Sequence, residues 1–348
     1  MKKAQLVFIP SPVVGHLVSS VQFAKLILDR NDSFLITILV LSNPSAGSIS
    51  KYIESLASVH KQIKFISLPE TVAPPSAEAI SVSVERAFTR YINDHKTIVK
   101  DVIVNQVIAN DPAPIASVVF DLFCTAFIDV AKELGVPSHV FFTSGAAFLG
   151  LMLYLSDREE NGQPKFRPTD PDYIIPFYAN PAPYRVLPLM HNDEGYETFA
   201  HHGRRFKDAT GIIVNTFSEV ESHVVHALLA RNDIPPIFNV GPLIDHKGKS
   251  LPGSDAVKPE EISKWLDDQP EKSVVFFVLW KRRRRDCPTD IVRAEDITKA
   301  VKTMMEQGGE FRNKAKAISE MAQKAVAEGG SSYVALGNLI NQWLENNP

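Results

Sequence analysis

Two side chains in this chain have the types and placement to move a proton between heavy atoms. His16 follows the short apolar run Leu6-Val7-Phe8-Ile9-Pro10 and the tight loop Ser11-Pro12-Val13-Val14-Gly15. It opens an apolar-periodic segment, Leu17-Val18-Val21-Phe23-Ala24-Leu26-Ile27-Leu28. That pattern predicts a buried strand, a loop and a helix, with the histidine at the carboxyl end of the strand. Ligands of open α/β sheets bind at that end. A helix N-terminus disfavours imidazolium, so the ring is expected to be neutral and able to act as a base. Asp121 closes a second apolar run, Ala116-Ser117-Val118-Val119-Phe120. If both runs are parallel strands of one sheet, the two side chains meet at its edge, within about 2.6–3.5 Å. A carboxylate that orients an imidazole makes it a general base toward a hydroxyl. Equally, Asp121 could cap the helix that begins near Thr125, and His16 could simply pack at a helix start.

The elements needed to position this pair are legible as an alternation. Further strands are expected at 34–41, 63–68, 139–144, 211–216 and 236–240, with helices at 51–59, 82–109, 125–134 and 219–230. Strands alternating with helices imply βαβ units and a parallel, doubly wound sheet. Between Arg158 and His202 prolines cluster, and the pattern predicts loops with short helical pieces that form a lid over a pocket. The polar stretch 245–258 reads as a linker. Beyond it come a helix at 260–268, one strand at 273–279, the basic run Lys281-Arg282-Arg283-Arg284-Arg285, and helices at 294–306, 311–328 and 331–345. The basic run reads as a solvated loop rather than a phosphate patch. Tyr333, Leu336, Leu339, Ile340 and Trp343 fall at helical spacing, so the last helix is expected to pack back on the first domain.

Composition narrows the class. The 348 residues suffice for one large or two medium α/β domains. A net charge of −3 and ordinary apolar content point away from nucleic acid and membrane surfaces. Two cysteines, Cys124 and Cys287, make neither a disulfide framework nor a metal site. There is no apolar run of spanning length and no signal-peptide core. The expectation is a cytoplasmic protein.

Several segments carry a more specific message. They are Pro10-Ser11-Pro12-Val13-Val14-Gly15-His16, Val118-Val119-Phe120-Asp121-Leu122-Phe123-Cys124, Gly135-Val136-Pro137, Phe141-Phe142-Thr143-Ser144 and Val214-Asn215-Thr216-Phe217-Ser218-Glu219. Val240-Gly241-Pro242-Leu243, Trp265-Leu266-Asp267-Asp268-Gln269-Pro270 and Glu328-Gly329-Gly330-Ser331-Ser332 extend the set. Together they make the chain similar to the plant family 1 UDP-glycosyltransferases, which glucosylate phenolics, flavonoids and terpenoids. The resemblance implies an α/β, GT-B-like fold. Residues 1–244 would be a complete Rossmann-like acceptor domain, and 259–348 a truncated, mostly helical remnant of the donor domain. It implies an inverting transfer in which His16 deprotonates the acceptor hydroxyl and Asp121 steadies the imidazolium. It places Thr143 on the donor sugar, and Phe123 and Gly15 in the acceptor pocket. It implies no metal and no cofactor, the UDP-sugar being a co-substrate. The partners are then a small-molecule acceptor and the UDP-sugar, with no nucleic acid, no membrane insertion and a monomeric state. The chain departs from the family after Val275-Phe276-Phe277. The family's glycine–serine loop, its next βα units and its signature segment are missing, and the sequence passes to the family's late region at about Trp280. That missing piece would hold the nucleotide, so little sugar transfer is expected of the chain as written.

Overall fold

The computed structural model describes residues 3–41, 53–54, 56–58, 62–187, 193–244, 259–270, 274 and 293–345. The chain divides into two units, Met1–His246 with Lys324–Pro348, and Lys247–Gln323. The residues from 324 onward, which include the last helix expected to pack back on the first domain, group by contact with the first unit.

The first unit is built on seven strands: β1 (Ala4–Ile9), β2 (Phe34–Val40), β3 (Ile63–Ser67), β4 (Ile115–Asp121), β5 (Ser138–Phe142), β6 (Gly211–Val214) and β7 (Ile237–Asn239). They form one sheet in the order β3-β2-β1-β4-β5-β6-β7, and every pairing is parallel. A parallel sheet needs cover on both faces, so its strands are apolar almost throughout. β1 shows this: all six of its residues are buried. Val7 and Ile9 belong to one core and Leu6 and Phe8 to the other, as the twofold side-chain alternation of a strand requires.

The helices supply that cover. α1 (Val14–Arg30) faces Leu6, Phe8 and Ile38 through Leu17, Val21, Ala24 and Ile27. The expected helix over 82–109 is in fact several pieces: α2 (Ala77–Val82), α3 (Val84–Asn93) and α4 (Lys96–Val102), the last running into a π-helical turn at Ile103–Ile108. Ser83 breaks the first join, because its hydroxyl accepts from Arg86 N and caps α3. α5 (Phe127–Glu133) follows β4, and α6 (Ala146–Glu160) follows β5.

The expected lid is corrected. From Asp193 to Phe206 the chain forms one regular helix, α7, and Tyr196, Phe199, His202 and Phe206 on it are buried. It packs so closely on α6 that a Cβ at Gly203 would collide with the Met152 carbonyl. α8 (Ser222–Leu229) precedes β7.

The sheet face carrying α1 is completed by the C-terminal helix, here α11 (Ser331–Glu345). Leu336, Leu339, Ile340 and Trp343 are buried there. The Trp343 ring stands edge-on to Phe34 at 6.1 Å and to His139 at 5.6 Å. At its start, Ser332 Oγ donates to the Gly241 carbonyl at 2.6 Å, and the Arg30 guanidinium lies 3.3 Å above the Tyr333 ring.

In the second unit the described residues form α9 (Pro259–Asp267) and most of α10 (Ala294–Val326). Two helices were expected where α10 runs without a break through Gly308 and Gly309. The expected strand at 273–279, apart from residue 274, lies outside the described residues, as do the linker 245–258 and the basic run 281–285. Of the helix expected at 51–59, only 53–54 and 56–58 are described. Among the described residues no helix is long and apolar enough to cross a membrane, and no group of three or more His, Cys, Asp or Glu is placed to hold a metal ion.

Candidate active site

The sheet order reverses between β1 and β4, and the loops leaving those strands part to opposite sides. His16 lies in the first turn of α1 just after β1, and Asp121 is the last residue of β4. The strands run side by side in register, Ile9 opposite Phe120. His16 Nδ1 is 2.6 Å from Asp121 Oδ2. An ionised carboxylate only accepts, so Nδ1 carries the hydrogen and the Nε2 lone pair is left available. Burial of the ring opposes its charge, but the charge of Asp121 and its hydrogen bond prevail, and the His16 pKa is raised above its ordinary 6.5. The direction is opposite to the lowering expected from the helix terminus. The carboxylate at contact distance outweighs the partial charge of the helix end.

Asp121 is itself held on every side. Its other oxygen accepts from Ser11 Oγ and, at 3.1 Å, from Phe123 N. The carboxylate therefore does cap a turn, the one at 121–124, closed by Cys124 N on the Asp121 carbonyl at 2.8 Å, while α5 begins later with Ala126 at its cap. Cys124 Sγ lies 3.7 Å from Ser11 Oγ. Burial, with the nearby Asp121 charge, pushes the Cys124 thiol well above its usual range, so it stays protonated.

Thr143, just past β5, places Oγ1 3.3 Å from His16 Nδ1. Asn215, past β6, donates from Nδ2 to the Thr143 carbonyl at 3.4 Å and accepts from Leu243 N at 2.9 Å. Groups after four parallel strands thus converge on one edge. Glu221 braces the far side, accepting from Ala146 N at 2.8 Å, from Ala147 N at 2.9 Å and from the Thr216 hydroxyl. A carboxylate on the first amides of α6 is well matched to the positive end of that helix.

Phe123 tilts toward His16 with ring centroids 5.9 Å apart. It forms one wall of a cavity of about 200 Å³, with Ser11, Val84, Phe88, Thr89 and Ile92 among the other walls. Gly15 does not line this cavity; the space above its Cα is open, with no atom within 4 Å of where a Cβ would stand. Ser11 and Asn215 fall in quoted segments but were given no role, and Thr89 and Glu221 were not singled out in the sequence. Their partners lie far away in the chain, and no local spacing marks them.

The chain is an α/β protein with a doubly wound parallel sheet and a histidine–aspartate pair at its switch point, and its fold matches solved GT-B structures. The Medicago truncatula UGT71G1 structure, complexed with UDP-glucose, matches with a TM-score of 0.85 at 28% identity, covering 98% of each chain. UDP-glycosyltransferase 71K2 of Pyrus communis is 41% identical over 282 residues, which are 80% of this chain and 58% of that protein. UDP-glucose flavonoid 3-O-glucosyltransferase 6 of Fragaria ananassa is 38% identical over 323 residues, 89% of this chain and 64% of that protein. No protein-family model matches. Over 80–89% of its own length the chain is similar to these plant UDP-glycosyltransferases. It spans about three fifths of the length of the curated relatives it matches.

Proposed function

We propose that this chain carries the acceptor-activating half of an inverting UDP-glycosyltransferase. The observation behind the proposal is the His16–Asp121 contact of 2.6 Å beside an apolar cavity. A hydroxyl of a small plant secondary metabolite, a phenolic, flavonoid or terpenoid, approaches Nε2 of His16. Nε2 takes its proton, and Asp121 stabilises the imidazolium across Nδ1. The oxygen's electron pair forms a bond to the anomeric carbon of the sugar, glucose by analogy with the relatives' names. The bond to the diphosphate breaks, UDP leaves, and the configuration inverts. Thr143, beside the same imidazole, contacts the donor sugar, and Phe123 packs on the acceptor ring. Gly15 leaves the approach to His16 open. The chain acts as a monomer in the cytoplasm, a setting in keeping with a free buried thiol at Cys124.

One observation favours a second reading. The chain covers only 58–64% of those relatives, and its residues 273–279 run into Trp280 and five basic residues instead of a glycine turn. Glycine-turn amides and a helix N-terminus are what hold a nucleotide diphosphate in such domains. On this reading the chain binds the acceptor and transfers little or no sugar.

Calorimetric titration with a simple phenol, UDP and UDP-glucose, beside a turnover assay with UDP-glucose and phenolics, separates the two. Turnover abolished by His16→Ala establishes the full enzyme. Phenol binding without UDP binding or product establishes the second reading. No phenol binding overturns both.

A further inference from the structure

His202 is buried to 1% exposure on α7, and it does not line the cavity. It touches two residues that do. Its Nε2 is 2.9 Å from the hydroxyl of Thr89, and its ring lies edge-on to Phe123 with centroids 5.8 Å apart. On the other side, Nδ1 is 2.8 Å from the hydroxyl of Thr125, itself buried to 1% exposure. Burial, with His201 adjoining, pushes the ring's pKa down to about 3, so it is neutral at ordinary pH. A neutral imidazole has one donor and one acceptor nitrogen.

The surroundings decide which is which. Among the described residues His202 is the sole hydrogen-bond partner shown for the Thr125 hydroxyl. A hydroxyl shut away from water must place its proton on an acceptor or forfeit a hydrogen bond in a low-dielectric interior. Thr125 therefore donates to Nδ1, Nε2 carries the hydrogen, and Nε2–H donates to Thr89 Oγ1. The Thr89 hydroxyl then has its own proton to give, and Thr89 lines both the apolar cavity and a polar cleft beside Arg90 and Glu194. No bond from it back to the carbonyl one turn earlier in α3 is formed, although Ser19, Ser20 and Thr198 make such bonds in their helices.

Resting on the acceptor-site reading above, we propose that the Thr125–His202–Thr89 chain is a specificity device that presents a hydrogen-bond donor to an otherwise apolar cavity. It selects acceptors whose ring carries a carbonyl or ether oxygen in addition to the hydroxyl that reacts. The Ser11 hydroxyl cannot serve, because its proton goes to Asp121. The cavity of about 200 Å³ is open on one side and has room for one substituted ring of the acceptor. His202 is a positioning residue: it acts through Thr89 and Phe123.

The test uses the full chain and a matched pair of probes, 4-hydroxyacetophenone and 4-ethylphenol, titrated calorimetrically. Their shapes are close, and only the first has a carbonyl. The expected result is that Thr89→Val, which keeps the side chain's shape, lowers the ketone-to-ethyl affinity ratio roughly fivefold, as loss of one neutral hydrogen bond implies. His202→Phe should lower it similarly. Nitrogen-15 spectra of the histidines should show the hydrogen of His202 on Nε2, which a merely space-filling role would not require. If both probes bind and neither variant changes the ratio, or if the hydrogen sits on Nδ1, the relay is wrong and the acceptor site stands. If neither probe binds the unaltered protein, both fail. Should His202→Phe not fold, Thr89→Val and the spectra still decide.

Discussion

Two helices of this chain carry a tryptophan on an apolar stripe, and their fates are opposite. On α11, Trp343 is at 0% exposure, wedged between Phe34 and His139 under the sheet. On α9, in the other unit, Trp265 is 55% exposed, with Ile262 and Leu266 also exposed. Amphipathic spacing is similar in both; what differs is a receiving surface. An apolar stripe stabilises a fold only as far as it leaves water, so sequence periodicity states what a helix could bury and the sheet decides what it does bury.

The largest expected effect follows directly. Trp343→Ala should cost about 3–5 kcal/mol, since it removes a fully enclosed indole, whereas Trp265→Ala should stay within about 0.5 kcal/mol. Urea denaturation followed by circular dichroism reads both. Equal losses would break the comparison.

Glycines sharpen it. Gly203 sits where α7 meets the backbone of α6, and a methyl there has no room. Gly203→Ala should destabilise by about 1–3 kcal/mol. Gly309 lies within α10 with nothing within 4 Å of a Cβ. Gly309→Ala should stabilise the helix by about 0.5–1 kcal/mol. Thermal melts of the two variants should therefore move in opposite directions.

Ion pairs give the smallest effects. The exposed Lys314–Glu310 pair on α10, 2.7 Å apart, should be worth no more than about 0.5 kcal/mol and fade with salt. The His16–Asp121 pair should instead register as a pH dependence. The His16 pKa is raised by folding, so the charged ring favours the folded state. That contribution is complete below the free histidine's 6.5 and is lost as pH rises through the higher folded value. His16→Asn should abolish this slope. Asp121→Asn removes the carboxylate and leaves burial unopposed, so the ring's pKa should fall below 6.5 in a proton NMR titration. A ring that still titrates above that value would show that another group supplies the charge.

The fold was legible where a local rule decided it. All seven strands of the sheet were readable from apolar runs, and α11 from helical spacing, because both patterns survive in one dimension. α6 gives little signal, since Ala146-Ala147-Phe148-Leu149-Gly150-Leu151-Met152-Leu153 is apolar all round and shows no stripe. α7 was hidden by Gly195 and Gly203 and by the prolines before it, although Gly203 is there to admit α6. At the site, His16 and Asp121 stood out because each ends a strand-like run. Ser11 on Asp121, and Thr89 and Thr125 on His202, arise from contacts 77 to 113 residues apart, which no motif length can encode.

The split of the first unit into 1–246 and 324–348 also bears on how the protein is made. On a ribosome the sheet emerges early, and α11 only after the intervening segment has been synthesised. At roughly 5–20 residues per second that delay lasts several seconds. Until then the face beside Phe34 and His139 lacks the helix that covers it in the finished fold.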